Sequence, residues 1–204
     1  MLKRVFKLSK YKNYYRSGII VLVLGSGLVL LYPHLPALWF KLYPPTNTIG
    51  YQLTNPAAFS VANTARPIPQ DNRLVIPAIG VDTAILEGDN LSILDQAEGA
   101  WREPDTANPA AGSNTVISGH RFKYLPPNQT TFYLLDKLIS GDKFVIFWEG
   151  QDYIYEVAEI KEVMPWELDI KAPTDEPTVT LYTCSPLGST AKRLVIVAKL
   201  VKAQ

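Results

Sequence analysis

Cysteine occurs once in this 204-residue chain, as Cys184, and histidine twice, as His34 and His120. A lone cysteine excludes an internal disulfide and a cysteine-rich zinc site. Two histidines are poor material for a histidine-rich metal centre, so no metal is expected. Acids are missing from the first 70 residues, the first being Asp71, although Lys3, Arg4, Lys7, Lys10, Lys12, Arg16, Lys41 and Arg66 all fall there. The remaining 12 bases face all 19 acids, so the near-neutral total of +1 hides an acidic C-terminal part. Such a surface argues against nucleic acid as a partner. There is no glycine-rich phosphate loop and no internal repeat. Neither Ser118 nor Ser185 sits in a Gly-x-Ser-x-Gly elbow.

Gly18 to Phe40 contains no Asp, Glu, Lys or Arg. A helix needs about 20 apolar residues to span a bilayer core. This run suffices if Pro33 and Pro36 lie at the outer interface, with Tyr32 and Trp39 as an aromatic belt. The bases before it place residues 1–17 in the cytoplasm and everything after Lys41 outside the cell, with residues 18–40 as a single-pass anchor. A cleaved signal peptide is the competing reading. Leu35 to Trp39 offers no clean small-x-small cleavage site, which favours retention.

Residues 41–72 are rich in Pro, Thr, Asn and Ala. X-Pro pairs favour extended backbone, which reads as a stalk with one short helix near Pro56 to Asn63. From Arg73 the pattern turns to short β runs: Leu74 to Pro77, Val81 to Leu86, Thr115 to Ser118, Lys143 to Trp148, Tyr153 to Val163, Pro177 to Thr183 and Leu194 to Val201. Glu149-Gly150-Gln151 is a hairpin signal. A short helix is expected near Ser92 to Ala97, a helical turn over Phe132 to Leu138, and loops from Gly99 to Gly112 and from Met164 to Glu176. Seven or eight strands with little helix predict an all-β barrel or sandwich over residues 73–204.

The reactive residues lie at the ends of these runs. Cys184 follows Thr180-Leu181-Tyr182-Thr183, His120 follows Asn114 to Gly119, and Arg193 opens the last apolar run. A thiol is already a good nucleophile, and a nearby imidazolium or guanidinium favours its thiolate. Acyl transfer then needs a proton donor for the leaving amine, which His120 supplies. It also needs donors facing the oxyanion, and Arg193 supplies a fork that stays charged. Taken singly, each residue fits a blander role: a small buried hydrophobe, a capping histidine, a solvated strand arginine.

Together the motifs resemble the sortases, membrane-anchored cysteine transpeptidases of Gram-positive-type envelopes. Thr180-Leu181-Tyr182-Thr183-Cys184 is similar to their TLxTC signature, and Arg193 lies where the family carries its arginine. Asn114 to Arg121 resembles the stretch around their histidine, and Phe132 to Leu138 with Gly141-Asp142 the segment after it. The resemblance runs from about Arg73 to Val201. It implies a closed eight-stranded β-barrel behind one transmembrane helix, with Cys184, His120 and Arg193 as catalytic residues.

The same resemblance implies an LPxTG-like C-terminal sorting signal on a secreted protein as substrate. Its Thr carbonyl would be taken by Cys184 as a thioacyl intermediate, then passed to an amine of a cell-wall precursor or a pilin. The loop after Val163 would shape the groove, with Trp166, Leu168, Ile170, Ser118 and Thr183 as substrate-binding candidates. Pilus-building members often carry an Asp-Pro-aromatic lid, which residues 41–72 lack. Some members bind calcium; Asp105, Glu167, Asp169, Asp175 and Glu176 are acids of the right type, but solvated loop acids are the preferred reading and no cofactor is expected. The alternatives are a cysteine peptidase whose acyl-enzyme is resolved by water, and a silent barrel that binds peptide tails.

Overall fold

The computed structural model describes residues 2–32, 35, 38, 42, 71–123 and 129–203. Apart from Leu42, Asp71 and Asn72, the expected stalk with its short helix lies outside the described residues. The chain divides into two units, residues 1–44 and 45–204.

The first unit is built on helix α1, Leu2–Leu31. Its stretch Tyr14–Leu31 has a mean hydropathy of 1.7 and none of it is buried. By length and composition this helix can cross a membrane. The hydroxyl of Ser26 bonds back to the Leu22 carbonyl, so the polar group is satisfied within the helix.

The second unit is an eight-stranded closed barrel. Its strands are β1 (Arg73–Ile76), β2 (Val81–Glu87), β3 (Ala100–Arg102), β4 (Asn114–Ser118), β5 (Lys143–Trp148), β6 (Gln151–Val163), β7 (Thr178–Ser185) and β8 (Lys192–Ala203). A one-turn helix α2, Ile93–Gln96, precedes β3. Around the barrel the order is β1-β2-β3-β4-β7-β8-β6-β5. Two seams, β2 with β3 and β4 with β7, are parallel; the others are antiparallel. The hairpin at Glu149-Gly150 forms as its sequence predicts, with positive φ at both residues.

Period-two alternation sorts the side chains. Val179 and Leu181 of β7, Ile117 of β4 and Leu194 and Ile196 of β8 enter the core with Leu74, Phe132, Phe144 and Ile146. Their neighbours Thr180, Tyr182, Ser118 and Arg193 therefore face outward.

The segment expected to be a loop at Gly99-Ala100-Trp101 holds strand β3. Three residues are too few to show a period, so its partners specify it. A Cβ on Gly99 would sit 2.7 Å from Leu86 Cγ and 2.9 Å from the Ala84 carbonyl oxygen, so only glycine lets the chain enter this seam. The expected turn over Phe132 to Leu138 forms as a 3-10 turn at Leu135–Lys137. The connection from β6 to β7 carries another at Leu168–Lys171.

Candidate active site

Strand register brings the three reactive residues together. In the parallel seam Ser118 pairs with Tyr182. His120 and Cys184 each lie two residues further on, so both leave the same end of the seam on the outer face. In the antiparallel seam Cys184 pairs with Arg193. The result is a row across three neighbouring strands: histidine, cysteine, arginine. Strand β7 continues one residue past the cysteine, so Cys184 is the penultimate residue of a strand and not the first residue after one, as its sequence suggests. The pairing with β8 accounts for this, because Ser185 still finds Lys192 opposite.

Each member of the row is half-buried. Cys184 is a free thiol. His120 places Nε2 3.5 Å from Oδ1 of Asp95, which α2 presents at 74% side-chain exposure. Arg193 donates from Nη1 to the carbonyls of Thr190 and Lys192, each at 3.0 Å. Its fork is thus held over the turn that leads into β8.

The histidine loop is fixed by backbone contacts. Gly119 N donates to the Tyr182 carbonyl at 3.3 Å, and Phe132 N donates to the His120 carbonyl at 2.9 Å. Thr183, a substrate-binding candidate, turns inward at 1% exposure and donates from Oγ1 to the Gly119 carbonyl at 2.8 Å. Its hydroxyl therefore holds the loop that carries His120.

One step below this row lies a second: Trp101, Ser118, Tyr182 and Val195, in register across four strands. Tyr182 donates its hydroxyl proton to Glu103 Oε1 at 2.5 Å. Glu103, 6% exposed, also holds Lys171 Nζ at 2.6 Å. Burial, the hydrogen bond to Glu103 and the carboxylate charge push the Tyr182 phenol well above its usual range; Ser118 and Arg193 oppose that shift. The tyrosine is a neutral donor at any working pH.

This network anchors the β6–β7 connection over the outer face of β4 and β7. Asn114 Nδ2 donates to the carbonyls of Ile170 and Ala172, both at 3.0 Å, and its Oδ1 accepts from Thr180 Oγ1 at 2.9 Å. Of the remaining candidates, Trp166 and Leu168 are 70% and 62% exposed on this connection, and Ile170 is half-buried. Ser118 is buried, at 5% exposure, on the outer face of β4.

The suggested calcium acids do not gather. Glu167 accepts from Met164 N at 3.1 Å, and Glu176 pairs with Lys199 at 2.9 Å. No group of three or more His, Cys, Asp or Glu with metal-binding geometry occurs among the described residues.

The barrel with this row matches known proteins. The Sortase domain family model matches residues 74–201. Sortase A of Bacillus anthracis is 24% identical over 152 residues, covering 74% of this chain and 69% of that protein. The crystal structure of sortase C-1 from Actinomyces oris superposes with a TM-score of 0.58 at 31% identity, covering 72% of this chain and 82% of that one. Clostridium perfringens sortase C, solved with the C-terminal cell wall sorting motif, gives 0.57 at 29% identity, covering 69% and 75%. A family match over most of the chain, joined to a closed eight-stranded barrel, establishes that the chain belongs to the sortase family.

Proposed function

We propose that this sortase is a cysteine transpeptidase acting on an LPxTG-like C-terminal sorting signal, with Cys184 as nucleophile, His120 as acid–base and Arg193 as oxyanion donor. The observation that carries the proposal is the register: Cys184 opposite Arg193, with His120 leaving the neighbouring strand at the same level. The Cys184 thiolate adds to the threonine carbonyl carbon. The carbonyl oxygen gains the negative charge, and Arg193 turns N–H donors toward it. The C–N bond to the next residue breaks as His120 protonates the departing amine. A thioester remains on Cys184. An acceptor amine attacks it, His120 takes the proton, and the thiolate leaves. The exposed side chains of Trp166 and Leu168, on the connection anchored beside the outer face of β4 and β7, are the apolar surface offered to the peptide.

The partners are secreted proteins bearing such a signal, an amine from a cell-wall precursor or a pilin, and the lipid bilayer. Residues 18–40 form a single-pass anchor, with residues 1–17 in the cytoplasm and the barrel outside. The excess of bases before the apolar run supports that orientation.

Product analysis tests the reaction. The full chain in detergent micelles is incubated with a fluorogenic LPxTG peptide, with and without an amine acceptor. Ligated product that requires the acceptor, absent in Cys184→Ala, supports transfer. Hydrolysed peptide at the same yield with or without acceptor would assign a peptidase instead.

A further inference from the structure

We propose that Arg121, the neighbour of the candidate base, is a positioning residue that locks the end of the nucleophile's strand to the histidine loop. The proposal rests on the reading of Cys184 as nucleophile and adds a residue to that machinery. Arg121 is 9% exposed, unusual for an arginine. Its Nη1 donates to the Cys184 carbonyl at 3.2 Å and meets Ser185 Oγ at 3.4 Å. Its Nη2 pairs with Asp136 Oδ1 at 2.9 Å. The network continues outward: Ser185 Oγ donates to Glu162 Oε1 at 2.6 Å, and Glu162 Oε2 pairs with Lys192 Nζ at 3.1 Å.

One guanidinium thus joins three segments: the histidine loop, the end of β7, and the 3-10 turn holding Asp136. At the same level, β4 has already ended, and strand pairing between it and β7 stops at Ser118 with Tyr182. Beyond that point the ladder no longer fixes His120 against Cys184. To the ties at Gly119 from the Tyr182 carbonyl and the Thr183 hydroxyl, Arg121 adds one at the level of the nucleophile itself, through the peptide carbonyl of Cys184. Its planar fork serves carbonyl, hydroxyl and carboxylate together; the point charge of a lysine engages fewer of them in fixed geometry.

The test uses the full chain in detergent micelles with Arg121→Met and Arg121→Lys. Thermal melts first identify the temperature range where each variant is folded. Within it, Arg121→Met is expected to lose about 100-fold in kcat for release of the C-terminal fragment, the scale of a misplacement near 1 Å. KM is expected to move by less than about threefold, since the groove is untouched. Arg121→Lys is expected to recover less than about a tenth of wild-type kcat, because a point charge cannot hold the Cys184 carbonyl, Ser185 and Asp136 together. A purely structural role would lower the melting temperature and leave kcat of the folded protein unchanged; that result overturns the proposal. So does full kcat in Arg121→Lys. If the wild type releases no fragment from any sorting peptide, the transpeptidase reading fails by itself. Arg121 is then judged on amide hydrogen exchange: unaltered protection of the histidine loop and the end of β7 in folded Arg121→Met overturns its assignment.

Discussion

At the scale of single residues, the site depends on close approaches that admit no spare atom. A Cβ on Gly119 would lie 2.9 Å from both Cγ and Cδ2 of Phe132. That ring is fully buried and cannot step aside. Gly119→Ala is therefore expected to displace His120, with kcat falling about 100-fold while the barrel stays folded; steady-state kinetics beside a thermal melt checks this. Glu162 offers a test by pH. Its hydrogen bond from Ser185, then its contact with Lys192, holds its carboxyl below the usual range. A depressed folded value means the stabilisation is present above the unfolded value of about 4.3 and is lost as pH falls through the folded one. The carboxylate is exposed, so the effect is small. In melts taken from neutral to acid pH, Glu162→Gln is expected to show a shallower fall in melting temperature below about pH 4 than the wild type.

Among elements, the β6–β7 connection is the piece whose placement depends most on side chains. Asn114 alone holds two of its carbonyls and also accepts from buried Thr180. Asn114→Ala leaves these groups without their partner and is expected to cost about 2 kcal/mol, read from denaturant unfolding. It also frees the segment that carries Trp166 and Leu168, so KM for the sorting peptide should rise. This anchoring was not legible in the sequence. Asn114 and Ile170 are far apart along the chain, and periodicity says nothing about which carbonyl an amide will find. The strands β1, β2, β5 and β7 were legible, as short apolar or alternating runs bounded by turn residues. The three-residue β3 was not, because its neighbours and the close fit at Gly99 specify it. The reactive triplet was legible as residue types at strand ends. The side chains that brace it were hidden, because Arg121 reaches Cys184 and Tyr182 reaches Glu103 across more than 60 residues of sequence.

For the whole molecule, the barrel closes because inward residues of all eight strands or their connections share one core. Leu181, fully buried in β7, packs there beneath the candidate nucleophile's strand. Leu181→Ala is expected to destabilise the protein by about 2–5 kcal/mol, through lost burial and the cavity left behind; chemical denaturation measures it. The other unit makes a separate prediction. If the apolar stretch Tyr14–Leu31 is an anchor, the full chain sediments with membranes after alkaline carbonate washing, and a chain lacking residues 1–32 does not. The account's central claim is that the register-aligned row carries covalent acyl transfer on Cys184. Intact-mass spectrometry of the full chain, quenched in acid during turnover of an LPxTG peptide without acceptor, tests it most directly. The account predicts an added acyl mass that maps to Cys184, is absent in Cys184→Ala, and accumulates far more slowly in His120→Ala and Arg193→Ala. A folded wild-type chain that cleaves the peptide with no adduct, or with Cys184→Ala still active, would contradict it.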